Sequence, residues 1–238
     1  MRVLAMDTAT SAITVAVHDG EQVLDVRNTV DPRRHTELLA PLLIEVMEAA
    51  GTAPDEVTHV AVGTGPGPFT GLRVGLVTAQ TFAHARGVPV RGVCSLDALA
   101  SAAAAGGHKG ELLVATDARR KEVYWARYRC AGGSAEALTD PAVDKPAEVP
   151  EAVRELPTAG RGPLLYPELL PHTVDLLDVD AGALATLAVR RIATGTDMPV
   201  EPLYLRRPDA AAPAAPKSAT PRQQQRRRRD QQQAQAQQ

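Results

Sequence analysis

The chain has 238 residues and a net charge of −2, with 44% hydrophobic and 23% charged residues. This composition can bury a full hydrophobic core and excludes collagen-like, wholly disordered and disulfide-stapled architectures. No apolar run approaches the roughly 18 residues needed to cross a bilayer, and the N-terminus lacks a secretory-signal pattern. Two widely spaced cysteines, Cys94 and Cys130, suit a reducing compartment. The sequence therefore predicts a cytoplasmic protein that does not contact membranes.

Charge is distributed unevenly along the chain. Residues 209–238 consist mainly of Ala, Pro and Gln, and they carry a net positive charge that includes four consecutive arginines. Such a segment buries too little apolar surface to offset the entropy lost on ordering, so a disordered tail is predicted. The body, residues 1–208, is acidic, which disfavours a general nucleic-acid surface on the folded part. RNA binding through the tail remains one alternative function.

The first half of the chain alternates between strand and helix patterns. The Asp19-Gly20 pair predicts a hairpin turn. Ser95 is predicted to cap the helix that it begins. Strands are predicted over residues 3–6, 13–18, 22–29, 57–63 and 88–93. Helices are predicted over residues 36–50, 71–86 and 95–105.

The second half repeats part of this pattern. An apolar strand, an aspartate, a polar loop, a second strand and a turn occupy residues 3–20 and again 112–133. Further on, the clearest element is a helix over residues 181–194. The repeat predicts an α/β protein with two related lobes, the second one reduced. The predicted division is a first lobe over residues 1–107, a second over 108–208, and the tail over 209–238.

Both repeats place an aspartate in the turn between two strands. Such a turn offers amides and hydroxyls to a phosphate, and a carboxylate that holds magnesium through water. The alternative is that each aspartate is an ordinary turn residue. The residues that form these candidate phosphate turns are Asp7, Thr8, Thr10, Asp117 and Arg119.

The most specific motif follows a predicted strand and reads GTGPGPFTGLRVG over residues 63–75. Its glycines and prolines fix an unusual backbone path, and the next helix begins where an anion could be held. It is not a P-loop, because the lysine and the following Ser or Thr are absent. Thr70 is predicted to cap the helix. The loop residues that carry the motif are Gly65, Pro66, Gly67, Phe69 and Thr70.

Four segments in this order resemble the bacterial TsaB (YeaZ) family: DTATSAITVAV, HTELLAPLL, GTGPGPFTGLRVGL and TDARRKEVYWARY. The resemblance is strong over residues 1–130 and continues weakly through 160–166 to 202–206. It implies the two-lobed actin-like ATPase fold (ASKHA, ribonuclease H-like). It also implies a partner subunit of TsaD, in the machinery that attaches threonylcarbamoyl to the adenosine beside the anticodon of tRNA.

The related catalytic proteins of the TsaD type carry two metal-binding histidines in a V-N-H-L-E-G-H segment. Residues 93–99 here read VCSLDAL, with Ser95 and Leu99 at the two ligand positions. The resemblance therefore implies no metal, no cofactor and no catalytic residue. The adenosine motif of kinase-type members is reduced to one glycine in residues 180–184. A non-catalytic subunit is thus expected, and an ATP-binding phosphotransferase that uses Asp7 and Asp117 is the main alternative.

The resemblance also implies an interface. In the family, the two helices of the first lobe pair with the same elements of TsaD, or of a second copy when TsaD is absent. The chain would then contact TsaE and tRNA only within that complex. The expected interface residues are Leu38, Leu39, Leu42, Leu43, Val46, Gly71, Gly75, Ala79 and Ala83. A charge at Leu42 or Gly75 is expected to abolish the heterodimer and leave the fold intact. The alternative is that these residues pack onto the chain's own sheet.

Overall fold

A computed structural model describes residues 1–206, so the predicted tail lies outside the described residues. The first half of the chain forms a five-stranded sheet of order β3-β2-β1-β4-β5. The first three strands are antiparallel neighbours, and β4 and β5 run parallel to β1. The strands are β1 (Val3–Asp7), β2 (Ala12–His18), β3 (Val23–Val30), β4 (His59–Gly63) and β5 (Val90–Val93).

The second half forms another sheet, of order β10-β6-β7-β8, with β9 paired to β7. Here too the first strands form an antiparallel hairpin, and β10 runs parallel to β6. The order of strands in the first sheet therefore recurs, without a counterpart of β5. The strands are β6 (Gly110–Asp117), β7 (Val123–Ala131), β8 (Ser134–Ala137), β9 (Ala142–Asp144) and β10 (Thr158–Ala159).

Both faces of the first sheet are covered by helices, which is why β1 and β2 are buried throughout. Helices α1 (His35–Ala49) and α2 (Phe69–Arg86) cover the face that carries Leu4 and Met6. Helices α3 (Ser95–Ala105) and α6 (Ala181–Ala193) cover the opposite face. Successive side chains of a strand point to opposite faces, so β1 contributes to both cores.

The core beneath α3 and α6 also includes residues of the second sheet, such as Leu112 and Tyr128. The two sheets thus share one continuous core, although the predicted boundary at residues 107–108 falls between α3 and β6. The outer face of the second sheet has only a thin cover, which includes Val149, Val153 and Leu170. Its helices are single turns, α4 (Glu151–Arg154) and α5 (Gly162–Leu165). The division into lobes remains a prediction.

Two predicted helix caps are wrong. Helix α2 begins at Phe69 after Pro68, with no side-chain cap, so Thr70 lies inside its first turn. Helix α3 is preceded by Cys94, again without a side-chain cap, and the Ser95 hydroxyl donates elsewhere. Helix α6, by contrast, has a side-chain cap, because the Asp180 carboxylate accepts from the amide of Ala183. Among residues 1–206, no helix is long and apolar enough to span a membrane.

Candidate functional site

Asp7, the first candidate phosphate-turn residue, is wholly buried. Its two carboxylate oxygens accept hydrogen bonds from the Ala9 amide, at 2.7 Å, and from the Ser95 hydroxyl, at 2.6 Å. Burial raises the pKa of Asp7 to about 6, and these two hydrogen bonds partly oppose the rise. A Cβ on Gly63 would lie 1.7 Å from the carboxylate, so only glycine fits above it. The carboxylate therefore faces the protein interior, where it joins the ends of β1 and α3.

The Thr8 side chain also makes structural hydrogen bonds within the chain. Its hydroxyl donates to the Gly71 carbonyl at 2.8 Å and accepts from the Gly75 amide at 3.0 Å. These two groups are four residues apart on α2, so the hydroxyl is inserted between the usual partners of a helical hydrogen bond. A Cβ on Gly75 would lie 2.5 Å from the hydroxyl. The glycines of α2 therefore allow the β1–β2 turn to lie directly against the helix.

Asp117, at the end of β6, has a different environment. Its side chain is 20% exposed, and its partner is Arg119, which contacts it through the backbone amide at 2.7 Å and the guanidinium at 3.1 Å. Arg119, Arg120 and Lys121 all adopt left-handed backbone angles, with φ of 61°, 54° and 63°. Non-glycine residues rarely do so. The second candidate turn is thus a surface loop that is held by its own side chains.

Residues of both turns line one cleft, but Asp7 is not among the residues that face it. Arg119 and Arg161 do face it, and Arg161 forms a two-fold ion pair with Asp178 at 2.6 and 2.8 Å. Thr10 also faces the cleft, and its hydroxyl has no partner among residues 1–206. The cleft encloses about 130 Å³. Small-molecule sites usually enclose roughly 300–1,000 Å³, so a nucleotide would not fit without movement.

The glycine-rich loop packs against the first turn. A Cβ on Gly67 would lie 2.4 Å from the Ala9 carbonyl, and the Gly65 carbonyl accepts from the Ser95 amide at 2.7 Å. Residues 63–67 are buried, including Pro66, whereas Phe69 and Thr70 are exposed. The loop therefore braces the Asp7 turn and presents only its last residues to solvent.

The remaining candidates for chemistry are a metal site and a reactive thiol. Residues 1–206 contain no cluster of three or more His, Cys, Asp or Glu side chains arranged to hold a metal ion. Leu99 and Ser95, which the resemblance placed at the two metal-ligand positions, are both fully buried. Burial raises the pKa of the Cys94 thiol to about 12, which keeps it protonated at neutral pH and unsuited as a nucleophile.

The helix residues predicted to contact a partner are instead part of the chain's own core. Exposure is at most 1% for Leu39, Val46, Ala79 and Ala83, and at most 8% for Leu42 and Leu43. Gly71 and Gly75 are buried against the turn, and Leu38 is half-buried. A charge at Leu42 or Gly75 would be buried, so we no longer expect either variant to leave the fold intact. The leucines, Val46 and the two alanines pack in the core beneath the sheet, and the two glycines pack against the Thr8 turn.

The opposite side of the same helices carries an exposed apolar groove. Val77 on α2 is 59% exposed, and Ile44 on α1 is 55% exposed. The groove runs between α1 and α2 and has a volume of about 470 Å³. Its floor and walls include Ala40, Val74 and Val77. We call this feature the α1–α2 groove.

Sequence reasoning missed the segment that follows α6. Residues 198–206 cross β5, the glycine-rich loop and α2 in turn, with the Leu203 amide donating to the Thr64 carbonyl at 2.9 Å. The Tyr204 ring then lies against Phe69, with centroids 5.1 Å apart. Arg206 pairs with Glu122 and donates to the Ala118 carbonyl. The motif PLYLR at residues 202–206 was the available signal, but periodicity gives no hint of its contacts.

Comparison with known proteins decides the family. Residues 28–193 match the family model described as "TsaD: tRNA N6-adenosine threonylcarbamoyltransferase". The chain is 34% identical over 221 residues to "tRNA threonylcarbamoyladenosine biosynthesis protein TsaB" of Escherichia coli, covering 87% of this chain and 95% of that protein. The chain belongs to the TsaB (YeaZ) family. The prediction made from the four sequence segments is thus confirmed.

Two further comparisons add to this one. The solved structure of YeaZ from Pseudomonas aeruginosa has a TM-score of 0.75 and 32% identity, covering 86% of this chain and 99% of that one. Together with the two sheets, it confirms the predicted α/β actin-like fold class. An uncharacterized protein of Mycobacterium leprae is 42% identical over 212 residues, covering 87% of this chain. The chain spans 55% of the length of that relative.

Proposed function

We propose that this TsaB-family chain acts in the biosynthesis of threonylcarbamoyladenosine in tRNA, as a non-catalytic subunit that binds TsaD and, through it, TsaE. TsaD would carry out the transfer to the adenosine beside the anticodon, and tRNA would be bound only within the complex. In the absence of TsaD, a second copy of the chain would occupy the same surface. The activity named for the E. coli relative, at 95% coverage of that protein, supports the pathway.

The α1–α2 groove is the observation that carries this proposal. Val77 and Phe69, which both line the groove, are 59% and 41% exposed. Contiguous exposed apolar surface is costly in water and marks interaction sites in soluble proteins. We therefore keep α1 and α2, the helices that the resemblance implicates, as the interface. We assign the contact to their solvent-exposed sides.

The environment of Asp7 supports a non-catalytic role. A carboxylate that holds magnesium through water needs an oxygen facing the ligand. Both Asp7 oxygens are instead occupied by Ala9 and Ser95 in a fully buried position. The ATP-binding phosphotransferase therefore has less support than the scaffold, since the first of its two carboxylates does not reach the cleft. RNA binding by the tail concerns residues outside those described.

The proposal is tested by purifying the chain with TsaD of the same organism and measuring complex formation by light scattering and tRNA modification in vitro. Val77→Asp places a charge in the groove and is expected to abolish both. Leu164→Asp is the matched control, because Leu164 is also 61% exposed but lies on α5, in the second half. It is expected to bind and support modification like the unmodified chain. Both variants alter exposed side chains, so both should fold.

Two results would overturn the proposal. The first is modification by TsaD alone at the same rate with and without this chain. The second is magnesium-dependent ATP hydrolysis by the isolated chain that is lost in Asp117→Asn, which would favour the phosphotransferase.

A further inference from the structure

An aromatic and cationic cluster adjoins the α1–α2 groove, which Phe69 and Arg73 help to line. The Arg73 guanidinium lies 3.5 Å above the centre of the Phe69 ring, and its Nε donates to the Tyr204 hydroxyl at 3.0 Å. The Tyr204 ring in turn contacts Phe69 at 5.1 Å between centroids. We call Phe69, Arg73 and Tyr204 the anchor cluster. Phe69 and Tyr204 are 41% and 40% exposed, so the cluster is ordered by mutual contact while it stays open to solvent.

Residues 1–206 use only part of the hydrogen-bonding capacity of the Arg73 guanidinium. Its Nε has a partner, whereas its two terminal amino groups have no hydrogen-bond or ion-pair partner among residues 1–206. A guanidinium presents paired N–H groups that match the two oxygens of a carboxylate. The stacking on Phe69 and the bond to Tyr204 fix the orientation of the guanidinium before any partner arrives, which reduces the entropy lost on binding.

The position of Tyr204 depends on the segment after α6. Residues 198–206 are attached on both sides of it: the Leu203 amide donates to Thr64, and Arg206 pairs with Glu122. Earlier in the segment, the Met198 carbonyl accepts from the Gly92 amide at 3.0 Å. The segment therefore holds Tyr204 beside α2 by contacts that lie outside the groove.

The charge of the side chains that line the groove indicates the chemistry of the partner that binds there. Arg73 is the one charged residue among the described residues that line it, and the other side chains are apolar or threonine. Aromatic residues and arginine are also enriched at the energetically dominant positions of protein interfaces. We infer that the anchor cluster receives an acidic side chain of the partner protein, whose neighbouring apolar residues fill the α1–α2 groove. This inference rests on the proposed function, because the partner meant is TsaD.

The affinity of the full chain for TsaD tests the inference. Arg73→Glu is expected to weaken binding about 30-fold or more, the threshold of an interface hot spot. Arg86→Glu makes the same change in charge on the same helix, outside the groove, and is expected to stay within about twofold of the unmodified chain. Arg73→Lys keeps the charge but loses the planar contact, so an intermediate loss of about tenfold is expected. Denaturation midpoints should show that all three variants fold.

Salt provides a second readout. Binding of the unmodified chain should weaken between 50 and 300 mM salt by about tenfold, and the Arg73→Glu variant should lack this dependence.

The possible outcomes distinguish a failure of the inference from a failure of the proposed function. If the unmodified chain does not bind TsaD, the proposed function fails and the inference with it. If it binds and Arg73→Glu behaves like Arg86→Glu, the inference alone is overturned. Loss of self-association in Arg73→Glu, with TsaD binding unchanged, would also overturn it and assign the cluster to a second copy.

Discussion

The two sheets of the molecule begin alike and end differently. In each, a buried strand leads to an aspartate and a tight turn, and a later strand runs parallel beside it. In the first sheet, β5 and α3 follow, and α3 brings Ser95 to within 2.6 Å of Asp7. In the second sheet, the described strands include no counterpart of β5. Asp117 consequently pairs with Arg119 of its own loop and remains 20% exposed.

This comparison shows that the strand–aspartate–turn pattern does not by itself define a ligand site. What surrounds the aspartate decides its role. Where a helix and a glycine-rich loop enclose it, the carboxylate becomes an internal link between elements. Where that cover is missing, the same pattern leaves a surface loop, with three residues in left-handed conformation. The variants below test this difference, from the largest expected effect to the smallest.

Gly63→Ala should have the largest effect on stability. The added Cβ would lie 1.7 Å from the Asp7 carboxylate, and a buried network offers little room to move. A loss of about 3 kcal/mol or more in the free energy of unfolding is expected. Gly106→Ala is the control, since its Cβ would meet only backbone oxygen at 3.3 Å and its φ is −73°. Urea denaturation of both variants measures the difference, and equal stabilities would contradict the packing described for Asp7.

Asp7→Asn should change how stability depends on pH. Because the pKa of Asp7 is raised from 3.8 to about 6 on folding, the folded state binds more protons than the unfolded state between these values. Asp7 therefore lowers the free energy of unfolding by about 2 kcal/mol as pH rises from 4 to 6. This decrease should be absent from Asp7→Asn and present in Asp117→Asn. Denaturation at pH 4, 5, 6 and 7 measures it, and identical slopes in the two variants would refute the assignment.

Thr8→Val should cost an intermediate amount. It removes the hydroxyl between Gly71 and Gly75 and leaves a buried carbonyl and amide to find new partners. About 1–3 kcal/mol is expected. Thr10→Val is the control from the same turn, because the Thr10 hydroxyl has no partner in the described part of the chain. Thermal or urea midpoints of the pair measure the effect, and an equal loss in both would show that the bridge contributes nothing.

Lys121→Gly should have the smallest effect, and with the opposite sign. Lys121 has a φ of 63°, which glycine adopts without steric cost. After allowing for the greater freedom of glycine in the unfolded chain, a gain of about 0.5 kcal/mol is expected. Lys121→Ala, which keeps the strain, should not show this gain. A loss of stability in Lys121→Gly would argue that the loop conformation is not strained.

Much of the fold follows from local sequence pattern. Apolar and β-branched runs and the Asp19-Gly20 turn located β1 and β2, and a helix capped by Ser95 and ending near residue 105 was predicted within one residue of α3. The pairing of Asp7 with Ser95 was not predictable, because it joins residues 88 positions apart. The order of strands within each sheet is likewise set by long-range contacts rather than by spacing.

The sequence could not show which side of each helix is exposed, for a physical reason. An apolar stripe on a helix does not reveal whether it faces the protein's own sheet or a partner, and the stripe containing Leu39 and Val46 faces the sheet. Likewise, the Gly71 and Gly75 spacing reflects the close approach of Thr8. Tyr204 was missed because its role depends on Arg73, which is 131 residues away.

The most direct test of the central claim compares a cleft variant with a groove variant in one assay of tRNA modification by TsaD. Asp117→Asn alters the cleft and Val77→Asp alters the α1–α2 groove, both at positions that tolerate a change in side chain. If the chain acts by docking, Asp117→Asn will support modification fully and Val77→Asp will not. Loss of modification in Asp117→Asn, with full activity in Val77→Asp, would contradict the account and place the function in the cleft.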